Sequence, residues 1–373
     1  MKPTGLYIDF PFCVARCAFC GFSVQGYRER PAEAYAAALE KELRLHAKEA
    51  LNRHRLITSI YFGGGTPTIY PVDLLTGLLS LCRKRFHIAS DAEISMEAHP
   101  ATINAANLVP LRKAGVNRLS IGVQSFSDKH LRVLGRNHNA REAREAFHAA
   151  RQAGFSNIGI DLMYALPEQT AEEWEETLQA AIALSPEHIA LYALSIEEGT
   201  LFHKKQEAGD LSLPSEEETI AFYETARTRL KQADYAQYEI SNFARPGYAS
   251  RHNLRYWDRG EILAVGLAAH SYLNREHREN TDSLSAYLEQ LASDHLPLVR
   301  KAAIDAREEE VDKIIFGLRK SEGIPLQFVT HDLVHKKTAN RLIKNCLLHL
   351  EDDRLRLTDK GIHFADEVAV AFL

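Results

Sequence analysis

Short β-branched or aromatic runs alternate with longer stretches of helical period over residues 1–234, which restricts the chain to a parallel sheet wrapped by helices. The strands this predicts are Leu6–Asp9, Thr58–Phe62, Ala92–Met96, Arg118–Gly122, Asn157–Leu162 and His188–Leu194. Helices are expected to start near Pro31, Pro71, Asn104, Asn139, Ala171 and Ser215. Pro31 suits a first helical turn, and Glu172, Glu173, Glu175 and Glu176 place negative charge at a helix amino terminus. Six βα units predict an α/β fold built on a partial (β/α)6 barrel, a periodicity that a doubly wound open sheet shares. In residues 235–300 the rhythm breaks: Tyr235–Tyr272 is dense in Tyr, Asn, Arg and His and is expected to be a loop-rich connection. Residues 301–373 change again, with helical patterns at Glu308–Lys320 and Thr338–Leu350 before the acidic turn Glu351-Asp352-Asp353 and a strand at Arg354–Thr358. That order describes a small winged-helix-like domain.

With 45% hydrophobic and 25% charged residues among 373, the chain can build a large core and is neither disordered nor a disulfide mini-protein. Lys and Arg number 45 against 50 Asp and Glu, a net charge of −5, with no basic run to neutralise a row of phosphates. Nucleic acid is therefore not an expected partner. No apolar run approaches bilayer length, and Asp9 interrupts the amino terminus before a signal-like core forms, so the chain is expected in the cytoplasm.

Three of the five cysteines, Cys13, Cys17 and Cys20, fall in one loop immediately after the first predicted strand, at the barrel end where catalytic groups of such folds sit. In a reducing compartment such a triplet points to a metal site before disulfides. Thiolates suit an iron–sulfur cluster or zinc, but a structural zinc site wants four ligands, commonly in two separated pairs. Three cysteines can hold a four-iron cluster and leave one iron open; a zinc-stabilised binding protein, completed by a distant His, is the bland alternative. Gly63-Gly64-Gly65-Thr66 follows the second strand, where missing side chains let backbone approach a ligand. Glu97, Gln124, Asp161 and, slightly further out, Arg136 recur at later strand ends, which argues for one shared site rather than four separate polar caps.

The C-x3-C-x2-C loop, with an aromatic before its last Cys, resembles the radical S-adenosylmethionine (SAM) superfamily. That resemblance implies a radical SAM partial barrel holding a 4Fe-4S cluster through Cys13, Cys17 and Cys20. It also implies S-adenosylmethionine chelated to the open iron, whose reductive cleavage yields a 5′-deoxyadenosyl radical. Gly64, Gly65 and Thr66 resemble the superfamily's GGTP element, which holds the methionine amino group. By the same resemblance Glu97 belongs near the amino group, Arg136 near the carboxylate, and Gln124 with Asp161 near the ribose diol. Tyr7 and Phe19 would flank the cluster and adenosine.

Gly-Val-Asn-Arg-Leu-Ser-Ile-Gly-Val-Gln-Ser-Phe (115–126), Ile-Asp-Leu-Met-Tyr-Ala-Leu-Pro-Glu-Gln-Thr (160–170), Tyr-Glu-Ile-Ser-Asn-Phe-Ala (238–244) and Arg-His-Asn-Leu-Arg-Tyr-Trp (251–257) are similar to the oxygen-independent coproporphyrinogen III oxidase-like group, and most to its heme-chaperone branch. Two departures argue against the oxidase: Phe22 stands where the oxidases have a further Cys, and only twelve residues precede Cys13, where they carry a long segment. The His-Asn-x-x-Tyr-Trp element, His252 to Trp257, resembles one that the chaperones associate with heme; imidazole can ligate iron and aromatic faces can pack on the macrocycle. Without the resemblance, a packed aromatic loop with a hydrogen-bonded His is the simpler reading. Gly266–Tyr272 resembles a glycine-rich family element, with alanines at 268 and 269 where the family is richer in Pro and Gly, and adds His270 as a second heme candidate. The resemblance implies heme delivered to apoproteins such as respiratory cytochromes, a reductant for the cluster, and membrane contact only through partners. The remaining histidines are expected mostly on solvated helix surfaces, and Cys82 and Cys346, set among Leu residues, in the core.

Overall fold

The alternating pattern folds as six strands, β1 (Lys2–Phe10), β2 (Arg55–Gly64), β3 (His87–Ala98), β4 (Arg118–Gln124), β5 (Ile158–Tyr164) and β6 (His188–Ala193), each parallel to the next. The computed structural model describes residues 1–22, 24–49, 52 and 54–373. Between the strands run α1 (Glu29–Lys48), α2 (Val72–Arg85), α3 (Ala105–Ala114), α4 (Ala140–Gln152) and α5 (Ala171–Ala183). After β6 come α6 (Leu201–Glu207) and α7 (Glu216–Gln232). Reciprocal capping boxes at Asn104, Asn139, Thr170 and Ser215 start α3, α4, α5 and α7, which is why local sequence located them.

Period-two alternation sorts the strands into two faces. Leu6, Ile8, Ile60, Phe62, Leu119, Ile121, Ile158 and Ile160 belong to the core packed beneath the helices. Their neighbours Tyr7, Asp9, Ser59, Tyr61, Glu93, Glu97, Arg118, Ser120 and Asp161 therefore face the concave interior. An apolar outside and a polar inside leave a barrel interior suited to a polar ligand.

Where loop was expected, residues 235–300 extend the sheet at both edges. On one side β8 (Asn242–Ala244) adds antiparallel to β6, and β7 (Ala236–Glu239) pairs antiparallel with β8 at the edge. After α8 (Arg251–Trp257), β9 (Glu261–Val265) lies parallel against β1. Antiparallel β10 (His270–Leu273), β11 (Glu276–Asn280) and, after α9 (Leu284–Ala292), β12 (Leu298–Ala303) complete twelve strands in the order β12-β11-β10-β9-β1-β2-β3-β4-β5-β6-β8-β7. The polar composition disguised these strands because their polar side chains are buried against distant partners. Glu261 pairs with Arg55, and the Asn280 side-chain amide donates to Glu42 at 2.7 Å.

Beyond β12, α10 (Ala306–Gly317) and α11 (Leu333–Lys344) pack with a separate three-stranded sheet, β13 (Ile324–Pro325), β14 (Leu348–Glu351) and β15 (Arg354–Leu357), ordered β13-β15-β14. Ile314, Leu342, Leu355 and Phe372 form its own core. The second helix stops short of the expected Leu350, because Cys346 turns the chain at a φ of 58° into the β14–β15 hairpin. That turn also leaves Cys346 exposed, not in the core, whereas Cys82 is fully buried. Several histidines expected at the surface are buried too: His46, His130, His188 and His335 each find a polar or aromatic neighbour inside.

Candidate functional site

The three clustered cysteines sit on the loop leaving β1, and backbone contacts pin that loop at both ends. At its base Phe12–Cys13 pairs in parallel with Gln25–Gly26, and the Tyr27 N–H donates to the Cys13 carbonyl at 2.9 Å. At its tip the Ala18 N–H donates to the Leu134 carbonyl, and the Phe202 N–H to the Ala18 carbonyl, both at 3.0 Å. Phe19 packs there against the cluster of Leu134, Met163 and Phe202. The Cys13 thiol accepts from Thr66 Oγ1 at 3.5 Å and the Cys17 thiol from Arg136 Nη1 at 3.3 Å. Burial, and then the charges of the neighbouring thiols, push Cys13 and Cys20 above the usual thiol range. A cationic centre bound by all three would relieve that repulsion. Among the described residues, no three His, Cys, Asp or Glu side chains converge as a mononuclear ion requires, whereas a cluster asks each thiolate to reach a different iron.

The glycine run after β2 clamps this loop. Gly65 N–H donates to the Phe10 carbonyl at 2.7 Å and Thr66 N–H to the Phe12 carbonyl at 3.0 Å. A Cβ on Gly65 would lie 2.7 Å from the Phe12 oxygen and 2.9 Å from the Cys13 sulfur. Gly64, at a φ of +105°, donates its N–H to Glu97 Oε2 at 3.1 Å, and Tyr61 OH donates to the other oxygen at 2.9 Å. Burial, with the charge of Asp161, raises the Glu97 carboxyl to about 7.

Across the sheet the other polar candidates meet over one glycine. Gly122 of β4 is in register with Asp161 of β5. A Cβ on Gly122 would lie 3.1 Å from Gln124 Nε2 and 3.6 Å from Arg136 Nη2. Ser120 Oγ donates to Asp161 at 3.0 Å, and burial raises that carboxyl to about 6. Gln124 has a φ of 68°, and the Ser125 N–H donates back to the Val123 carbonyl at 2.9 Å, a γ-turn of the rare left-handed kind. His138 Nε2 lies 3.2 Å from the same carbonyl and braces it, so the strain is held where Gln124 is presented.

The structure therefore brings Cys13, Cys17, Gly64, Gly65, Thr66, Glu97, Gln124, Arg136 and Asp161 to one end of the sheet. It does not pair Tyr7 with Phe19. Tyr7 lies deeper, stacked 6.0 Å from Tyr61 and 6.2 Å from the ring of His252. The sequence reading missed Asp9, whose buried carboxyl rises to about 8 and fills the space a Cβ on Gly64 would take. It also missed Tyr192, half-exposed at the end of β6 and set near Asp161 and Glu97. Both stand at strand ends like the residues that were found, and Asp9 shares its face with Tyr7 by strand alternation.

The four candidates for heme separate. His252 is 1% exposed, its Nδ1 is 2.9 Å from Ser59 Oγ, and its ring stacks on Tyr61 at 5.1 Å with Tyr256 edge-on at 5.5 Å. Burial and then the Arg255 charge push its pKa down to about 3, so it is a neutral imidazole. Trp257 turns away toward α10, where Phe316 is 6.4 Å and the Arg319 guanidinium 4.7 Å from its ring. His270 begins β10 and is exposed; Ala268, just before it, takes the φ of 53° that a glycine would adopt more easily.

Residues 7–181 match the radical SAM superfamily and residues 304–364 the HemN C-terminal domain. The chain is 33% identical over 374 residues to the heme chaperone HemW of Bacillus subtilis (strain 168), with 98% of each chain covered. It is 39% identical over 271 residues to the heme chaperone HemW of Escherichia coli (strain K12), covering 72% of this chain and 70% of that one. Coproporphyrinogen III oxidase, HemN, from Escherichia coli, a radical SAM enzyme of known structure, matches with a TM-score of 0.86 at 27% identity, over 100% of this chain and 90% of that one. The chain belongs to the radical SAM superfamily and, within it, to the family of the HemW heme chaperones.

Proposed function

We propose that the protein is a cytoplasmic heme chaperone that carries a 4Fe-4S cluster on Cys13, Cys17 and Cys20, binds S-adenosylmethionine at the adjoining strand ends, and delivers heme to apoproteins such as respiratory cytochromes. The observation that carries the cofactor reading is the contact chain from Cys13 through Thr66, Gly64 and Glu97, together with the convergence of Arg136, which touches Cys17, with Gln124 and Asp161 around Gly122. Glu97 is set to accept from an amino group, Arg136 to pair with a carboxylate beside the cluster, and Asp161 with Gln124 to bind a diol. The bound cluster and sulfonium would supply one-electron chemistry once an external reductant delivers the electron. The protein's own groups hold the nucleoside and exclude water. Asp161→Ala and Gln124→Ala should each weaken S-adenosylmethionine binding by about 1–3 kcal/mol, roughly five- to 150-fold, with the iron content unchanged.

The likeness to HemN over the full chain supports a second reading, a radical enzyme acting on a tetrapyrrole. One experiment separates the two. Cluster-loaded protein, incubated anaerobically with a chemical reductant, an electron acceptor, S-adenosylmethionine and coproporphyrinogen III, is expected to release no carbon dioxide, whatever 5′-deoxyadenosine uncoupled cleavage forms. Loaded with heme and mixed with apocytochrome, it should generate holocytochrome. Stoichiometric decarboxylation without heme transfer would overturn the chaperone reading.

Glu97 also sets a pH dependence. An amino group that chelates iron is neutral and donates its N–H to the ionised Glu97 carboxylate, which exists above pH about 7, and a free α-amino group must also shed its proton, at about 7.7–8.0, before it can chelate. Affinity should therefore rise with pH through 7 to 8, level off above that, and fall by at least tenfold per unit well on the acid side. Calorimetric titration from pH 6 to 9 checks this, and Glu97→Gln should flatten the acid limb near pH 7.

A further inference from the structure

The imidazole of His252 is held against strands β1 and β2 by contacts that leave one of its nitrogens unused. Its Nδ1 lies 2.9 Å from Ser59 Oγ, and both residues are 1% exposed. Ser59 is in register with Gly5 of β1 and Glu93 of β3. A Cβ on Gly5 would lie 3.2 Å from Cε1 and 3.3 Å from Nδ1 of the ring, so the bare backbone there makes room for the imidazole against Ser59. Glu93 accepts the backbone N–H groups of Arg251 and His252 at 2.9 and 3.1 Å and fixes the start of α8 over those strands. Tyr61 stacks on the ring. The other nitrogen, Nε2, is buried and has no hydrogen-bond partner among the described residues. Tyr256, which meets the ring edge-on, is 40% exposed, so the nearest cover on this helix already borders solvent.

A neutral imidazole carries one proton, and the place of that proton decides which nitrogen can bind a metal. With the proton on Nε2, Ser59 donates to Nδ1 and a buried N–H stands without an acceptor. With the proton on Nδ1, Ser59 Oγ accepts it and Nε2 presents a lone pair. Only the second arrangement can ligate iron, and iron bound there satisfies the one polar atom of the ring that the fold leaves without a partner. Metal-ligating imidazoles ordinarily donate their second N–H to such a partner, which orients the ring and makes it a stronger ligand. We propose that Ser59 is the positioning residue for an iron ligand at His252: its hydroxyl oxygen accepts the Nδ1 hydrogen bond, fixes the ring and its tautomer, and leaves Nε2 as the atom that binds heme iron. This rests on the reading of heme as cargo and of the His-Asn-x-x-Tyr-Trp element as the place where it binds. It gives a role in heme binding to a strand residue 193 positions away from that element.

The test titrates cluster-loaded full-length protein with ferric heme and, separately, with metal-free protoporphyrin IX, which offers no iron to ligate. Ser59→Ala should weaken heme binding about tenfold, the lower end of what loss of such a partner costs a metal site, and leave protoporphyrin affinity within about twofold. It should also raise the reduction potential of the bound heme, because an imidazole whose Nδ1–H has lost its acceptor donates less charge to ferric iron. Cluster iron and S-adenosylmethionine affinity should stay at wild-type values, which shows that the barrel is intact. In a His252→Ala background the same Ser59→Ala change should cost less than about twofold, since no ligand is left to position. Wild-type heme affinity and potential in Ser59→Ala, beside a His252→Ala protein that has lost its heme ligand, overturns the role of Ser59 alone. An equal loss from Ser59→Ala with and without His252 overturns it too, because the serine would then act on the fold and not through the ring. Heme affinity and Soret band unchanged in His252→Ala overturn the reading of His252 as the ligand, and the proposal with it.

Discussion

Cys17→Ser is expected to leave the protein unable to hold a four-iron cluster after anaerobic reconstitution, and Cys13→Ser and Cys20→Ser should do the same. Each thiolate is assigned to a separate iron, so the loss of one removes a corner that no nearby group replaces. A serine hydroxyl is a poor substitute for a soft thiolate, and water cannot supply a fixed ligand at that corner. The two other cysteines provide the control. Cys82 lies fully buried in the face of α2, where burial lifts its thiol to about 12. Cys346 is exposed on the turn before β14, in the separate carboxyl-terminal module. Cys82→Ala and Cys346→Ala should therefore keep the wild-type iron and sulfide content and the brown absorbance. An iron-loaded Cys17→Ser protein, or a Cys346→Ala protein without iron, would remove the loop from its assigned role.

The parts of the fold that local sequence could locate are those decided locally. Strands β1 to β6 alternate apolar and polar residues, and α3, α4, α5 and α7 begin at Asn, Thr or Ser caps whose partners lie three residues on. Strand ends on one sheet edge of a barrel face one site, so Glu97, Gln124 and Asp161 could be grouped without coordinates. What stayed hidden depended on partners far away in sequence. Glu93 illustrates this: from β3 it accepts the backbone N–H of Arg251 at 2.9 Å and of His252 at 3.1 Å, and so seats α8 on the barrel. A stretch rich in such residues looks like loop until its partners are known. The split of the His-Asn-x-x-Tyr-Trp element was legible in principle. On a helix, His252 and Tyr256 are four apart and share a face, while Trp257 lies about 100° further round. That rotation is why Tyr256 reaches the barrel interior and Trp257 reaches Arg319.

Gly65→Ala should damage the cofactor site almost as severely as loss of a cysteine, though it adds only one methyl group. The added carbon would sit 2.7 Å from the Phe12 oxygen, 2.8 Å from the Phe10 oxygen and 2.9 Å from the Cys13 sulfur. The two oxygens are backbone atoms that already accept the Gly65 and Thr66 N–H groups, so no side-chain rotation relieves the overlap. Relief requires the cysteine loop to move off the end of β2. That motion breaks the contact between Thr66 and Cys13 and separates the glycine run from the cluster position. Overpacking of this kind costs about 1–3 kcal/mol in a well-packed interior, little enough for the chain to remain folded. Reconstituted iron should accordingly fall below half of wild type, and S-adenosylmethionine binding should be lost with it, while far-ultraviolet dichroism persists. Gly77→Ala gives the contrasting case, because nothing lies within 4 Å of a Cβ at that exposed position of α2. It should keep the full cluster and gain about 0.4–1 kcal/mol of stability from the better helix former. Wild-type iron content and S-adenosylmethionine affinity in Gly65→Ala would mean that the glycine run does not clamp the cysteine loop in the working protein.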